Sequence, residues 1–124
     1  MNFRRNSPAA LRFAERRQRE EEAPRLRAEA PDLLTLRLEI DERGGSSQPK
    51  YIRRIVVDAA PALFFVPCGD PRCVDGGHDV TTAVMWSLRA RCSTFEGTDD
   101  CCGSLGSSAC SRVMHFDAVA EYRA

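Results

Sequence analysis

The sequence predicts an α+β domain: a small antiparallel sheet of about four strands, one or two helices, and a compact cysteine site in the C-terminal half. Three observations predict it. Leu34, Leu36, Leu38 and Ile40 alternate with polar residues, as do Met114, Phe116, Ala118, Ala120 and Tyr122, and period two marks a half-buried strand. Val80, Val84 and Leu88 recur at helical spacing between those strands. All six cysteines lie from Cys68 onward.

In chain order, Ser7-Pro8 suits a helix start, with Ser as cap and Pro at the first helical position. Ala9 to Glu22 holds good helix formers, with Glu15 and Arg19 paired at i,i+4. Its apolar stripe is thin (Leu11, Phe13, Ala14), and Pro24 and Pro31 break any continuation. Residues 1–31 therefore read as a charged helix or arm, and 32–124 as a single α+β domain. The Leu34–Asp41 strand leads into a flexible turn, Arg43 to Pro49. A returning strand is expected over Tyr51 to Asp58. Ala62 to Val66, between Pro61 and Pro67, is expected as a short buried strand that delivers the chain into Cys68. Asp79 can cap a helix running to about Arg91, with Trp86 at the edge of its apolar stripe. Cys92 to Ser111 reads as an irregular Gly/Ser-rich loop, and the Met114–Arg123 strand closes the domain.

Composition narrows the class. A chain of 124 residues with 43% hydrophobic and 29% charged residues is one ordinary globular domain. Formal net charge is zero, which argues against a general nucleic-acid binder. The charge is nevertheless segregated. Residues 1–30 hold eight Arg and five Glu, a balance of +3, and residues 61–124 hold five Arg and eight acids, a balance of −3. Seventeen Arg against the single Lys50 fits a GC-rich, bacterial-type genome better than selection for anion contacts. No apolar stretch follows the N-terminus, and the run Ala59–Cys68 is too short to span a bilayer. A cytoplasmic location and no membrane partner are expected, and in a reducing compartment clustered cysteines serve as ligands or thiols before disulfides.

The cysteine chemistry follows from spacing. Cys68-Gly69-Asp70-Pro71-Arg72-Cys73 can turn two sulfurs inward, and Cys110 with Cys101 or Cys102 completes four thiolates. Four such ligands close a tetrahedral zinc site against water. The expected metal ligands are Cys68, Cys73, Cys101 and Cys110, holding one structural Zn2+ in a zinc-knuckle-like site. Adjacent cysteines point apart, so one of Cys101 and Cys102 is left out. In general outline the loop resembles the knuckles of treble-clef and zinc-ribbon proteins, at a different spacing. Buried thiols without metal and disulfides are the alternatives. Cys92 is expected in the core, and His115 on a solvated strand face.

His78, beside Asp79 in a glycine-flanked loop, is the other candidate: a replacement ligand, or a general base in a zinc- or thiol-dependent enzyme. Four thiolates would leave no open coordination position for such chemistry. The vicinal pair Cys101-Cys102 follows Asp99 and Asp100, which disfavour a reactive thiolate. No phosphate-binding loop, paired-carboxylate signature or nucleophile elbow is present, and no small-molecule substrate is evident. The leading expectation is a non-enzymatic zinc-binding interaction module. A protein partner is favoured over nucleic acid, for which Arg12, Arg16, Arg17, Arg19, Arg37, Arg53 and Arg54 speak.

Overall fold

The computed structural model describes residues 8–43 and 50–124, with side chains from residue 14 onward. The expected Ser7 cap, the turn over 44–49, and the Leu11, Phe13 and Arg12 side chains lie outside the described residues. Helix α1 (Pro8–Glu22) and the short helix α2 (Leu26–Glu29) precede strands β1 (Leu33–Arg43) and β2 (Lys50–Ile55). Next come β3 (Phe65–Val66), β4 (His78–Asp79), helix α3 (Thr81–Arg89) and β5 (Thr94–Asp100). A small hairpin, β6 (Ser104–Leu105) and β7 (Ser108–Ala109), leads to the long last strand β8 (Val113–Tyr122).

The main sheet is four-stranded and antiparallel, in the order β2-β1-β8-β5. Its centre joins β1 to β8, with Leu38 opposite Ala118 and Ile40 opposite Phe116. The inner faces of these strands carry Leu36, Leu38, Ile40, Met114, Phe116, Ala118 and Ala120, all buried. Helix α3 contributes Val84, Met85 and Leu88 to the same core, joined by Leu26, Phe64 and Val66. Gly97 faces Phe116 across the β5–β8 ladder. A Cβ on Gly97 would lie 2.7 Å from that ring, so glycine lets the aromatic pack under the strand. Phe95 meets the same ring edge-on, with centroids 6.3 Å apart.

The α+β class and the four-stranded sheet agree with the sequence; the membership of the sheet does not. The strand expected at Ala62–Val66 shrinks to Phe65–Val66 and pairs with β4 in a separate ribbon. Pro61 and Pro67 at its ends have no N–H to offer a ladder. The fourth strand is β5, inside the segment expected to be irregular. Its inner face offers only Phe95 and Gly97 before Asp99, so little apolar alternation announces it; the ladder to β8 supplies the order. β2 stops at Ile55, where Val56 to Ala59 turn and the Ala59 amide bonds the Val56 carbonyl.

Trp86 is 76% exposed, not at the core edge: on α3 the apolar stripe is completed by Met85, one position back. Leu34 is also exposed, because a register irregularity between Leu33 and Thr35 turns Leu33 inward in its place. Cys92 is half-buried and outside the core cluster, its carbonyl accepting the Tyr122 hydroxyl at 2.7 Å. α2, which the sequence did not suggest, is tied down by backbone bonds from Leu26 to Ala60 and from Ala62 to Pro24. Arg27 reinforces it through Asp58 at 2.7 Å and the carbonyls of Pro31 and Leu33. No helix among the described residues is long and apolar enough to cross a membrane.

Packing of this kind sets a clear contrast. Phe116→Ala should lower the unfolding free energy by about 3–5 kcal/mol in denaturant titration. Trp86→Ala should change it by no more than about 0.5 kcal/mol.

Candidate metal centre

Two loops meet at one end of the sheet. The first leaves β3, carries Cys68 and Cys73, and returns through Gly76 and Gly77 to β4. The second leaves β5, carries Cys101, passes through the β6–β7 hairpin and delivers Cys110 just before β8. Backbone bonds join the loops directly: Val74 and Ser104 exchange both of theirs, at 2.8 and 3.0 Å. Each loop is also closed on itself, Cys73 N–H to Asp70 carbonyl and Cys110 N–H to Gly103 carbonyl. Gly106, at φ +64, makes the hairpin turn.

The sulfurs of Cys68, Cys73, Cys101 and Cys110 all lie within 4.8 Å of one another. Cys68 and Cys110 are 3.9 Å apart, and Cys73 and Cys101 3.6 Å. A metal about 2.3 Å from each of four thiolates would set them about 3.8 Å apart, so this donor set fits one tetrahedral ion. A disulfide would need about 2.05 Å, and all six cysteines are free. Of the adjacent pair, Cys101 faces the cluster. Cys102 is exposed, its thiol directed at the carbonyls of Asp75 and Gly77.

Two glycines shut the near side of the cluster. A Cβ on Gly76 would lie 2.3 Å from the Cys73 sulfur and 2.6 Å from that of Cys101; one on Gly103 would lie 2.4 Å from Cys73. The sulfurs are thus packed against bare backbone, and backbone amides reach them. Gly77 and Gly103 each donate an N–H to Cys101 at 3.4 Å. Burial pushes the Cys68 thiol up to about 11 and the Cys73 thiol up as well. At Cys101 burial also opposes charge, but the Gly103 and Gly77 amides and the Cys73 and Cys110 thiols outweigh it and bring its pKa down. Of these three thiols Cys101 gives up its proton most readily, and metal binding would displace thiol protons.

Beneath the sulfurs lies a charged network that sequence reasoning missed. Glu42 is 2% exposed, His78 0% and Arg112 4%. One oxygen of Glu42 accepts the Gly69 amide at 2.8 Å and Arg112 Nη1 at 2.7 Å. The other lies 3.0 Å from His78 Nε2, while His78 Nδ1 lies 3.3 Å from Asp99. Gly69 follows Cys68, Asp99 precedes Cys101 by two positions, and Arg112 follows Cys110 by two. His78 ends the turn that starts at Cys73. Glu42 thus gathers three of the segments that bear the sulfurs, and Asp99, through His78, joins the fourth.

A signal for this network existed. The inward faces of β1, β5 and the approach to β8 keep period two until each ends in a charged residue: Glu42, Asp99 and Arg112. Continuing the alternation past the apolar residues places all three at one end of the sheet, on the buried side.

His78 is not in the sulfur cluster. Asp79 accepts the Thr81 amide at 3.0 Å at the start of α3 and pairs with Arg19 at 2.7 Å. With Arg16 stacked 4.3 Å over Phe65, that pair lays α1 against the β3–β4 ribbon. His115 is partly exposed on the open sheet face. Its donors and those of Glu96 and Asp117 lie within 4.8 Å of one another, a grouping common on exposed acidic surfaces.

The fold and centre define a class, an α+β domain with a tetracysteine centre built on two loops. Comparison of the chain with protein-family models, with curated proteins and with solved structures finds no match.

Glu42→Gln should cost about 3–5 kcal/mol of stability, since it removes the carboxylate from the buried Glu42–Arg112 ion pair. It should also weaken metal retention, although residue 42 offers the cluster no ligand. Gly103→Ala should disturb the cluster too, through the contact with Cys73; metal content after dialysis would register both.

Proposed function

We propose that the four sulfurs hold one zinc ion as a closed structural centre, and that the protein acts as a zinc-stabilised interaction module without catalysis of its own. The observation that carries this reading is the near-tetrahedral spacing of the sulfurs against bare glycine backbone. Four thiolates fill the coordination sphere of zinc, which leaves no position for water or substrate. The loops also have few apolar side chains of their own, so metal ligation would supply much of their order.

A protein partner fits the surface better than nucleic acid. Tyr51, Ile52, Leu34, Val119 and Trp86 are large apolar side chains left exposed, as interaction surfaces often have. Acidic Glu39, Glu96 and Asp117 lie on the same open face as Arg37 and Arg54, in line with the zero net charge. The enzyme alternative has less support. Both ring nitrogens of His78 face carboxylates, and Asp79 is engaged by Thr81 and Arg19.

Native mass spectrometry with and without chelator, alongside melting curves, tests the centre. One zinc per chain is expected, with chelation lowering the melting temperature and loosening the C-terminal half. Cys68→Ser or Cys73→Ser should lose the metal, and Cys92→Ser should retain it. Normal zinc content and melting in Cys73→Ser would sink the proposal.

A further inference from the structure

The main sheet has two open edges, and their charges are opposite. Among the described residues, β2 pairs with β1 alone and β5 with β8 alone. β2 reads Lys50-Tyr51-Ile52-Arg53-Arg54-Ile55, with three basic residues; β5 reads Thr94-Phe95-Glu96-Gly97-Thr98-Asp99-Asp100, with three acids. Among the described residues, Lys50, Arg54 and Asp100 have no ion-pair partner, and Glu96 has only His115, at 3.6 Å. Long exposed edges are templates for another strand unless something covers them.

Charge decides which strand each edge can accept. Two copies joined β2 to β2 across a two-fold axis would bring together three basic residues from each, and β5 to β5 would do the same with acids. Like charges on facing strands destabilise, so the common two-fold dimer is disfavoured at both edges. The unlike pairing is favoured, and zero net charge leaves no overall repulsion against it.

Topology then sets the orientation. β1 runs antiparallel to β2 and β8, and β5 antiparallel to β8, so the two edges run in opposite directions. A second copy laid alongside, with its open face on the same side, meets the first as an antiparallel neighbour. Placing Lys50 opposite Asp100 also places Arg54 opposite Glu96 and Ile55 opposite Phe95. Lys50 and Arg54 lie on the open face, as do Glu96 and Asp100, so both ion pairs form on one side of the joint sheet.

We propose that this protein associates with itself head to tail, β2 of one copy adding to β5 of the next. Such a heterologous contact builds rings or filaments rather than a closed two-fold dimer. It requires no particular metal at the cysteine centre.

Sedimentation velocity of the full chain under reducing conditions tests it. Species larger than the monomer should grow with protein concentration and recede as salt is raised. Arg54→Glu and Glu96→Arg should each weaken association about tenfold or more. An equimolar mixture of the two variants should regain wild-type association, and so should the double variant. That rescue separates a broken contact from a broken fold. A wild-type chain that stays monomeric at every concentration overturns the proposal. So does Glu96→Arg assembling as well as the wild type, or a mixture that shows no rescue.

Discussion

The burial of Glu42 is the constraint on which the cysteine end of the molecule depends. A carboxylate removed from water is tolerable only when its oxygens are filled with donors. Here the donors are the Gly69 amide, Arg112 and His78, and each belongs to a segment that presents a cysteine. Satisfying one charge therefore fixes the relative positions of three chain segments. Asp99 brings in the fourth through His78. The sulfurs stand on a platform whose geometry is set by hydrogen bonds and not by apolar packing.

Sheet and centre are consequently one mechanical unit. Inward residues of β1, β5 and β8 are apolar along most of the sheet and charged at its end, where the loops begin. Apolar burial holds the strands together, and the strands carry the charged residues to their meeting point. Helix α3 covers the apolar part, while the ribbon of β3 and β4 covers the charged part through His78. A fault in strand register would misplace the carboxylate as surely as a fault in the core, because a slip of one residue moves every side chain to the opposite face.

The two central strands were legible because their apolar alternation is long and unbroken. Helix α3 was legible from Val80, Val84 and Leu88. The edge strand β5 was not, because Gly97 and Asp99 occupy its inner face and its order comes from pairing with β8. Trp86 was misplaced because residue type outweighed angular position: Met85 completes the stripe, and the indole falls beyond it. The four cysteines could be grouped from their spacing, and the Cys101-Cys102 ambiguity could not be removed without backbone direction. Glu42 and Arg112 went unremarked because a charged residue at a strand end reads as solvent-facing unless the alternation is carried one step further.

The pairing of β1 with β8 has a consequence for how the chain reaches its final form. Thr35 and Glu121, bonded across this ladder, are 86 positions apart. Contacts so distant in sequence slow folding, because a large loop must close before they return any stability. Until β8 arrives, β1 and β2 form an isolated two-stranded ribbon with one apolar face bare, an arrangement marginal in water. All four clustered cysteines lie between the partners, and Cys110 comes just before β8. Gathering those two loops first would shorten the remaining closure and present β8 beside the strand it must join. On that route the β1–β8 ladder would close from the cysteine end of the sheet toward the end where Leu33 meets Tyr122.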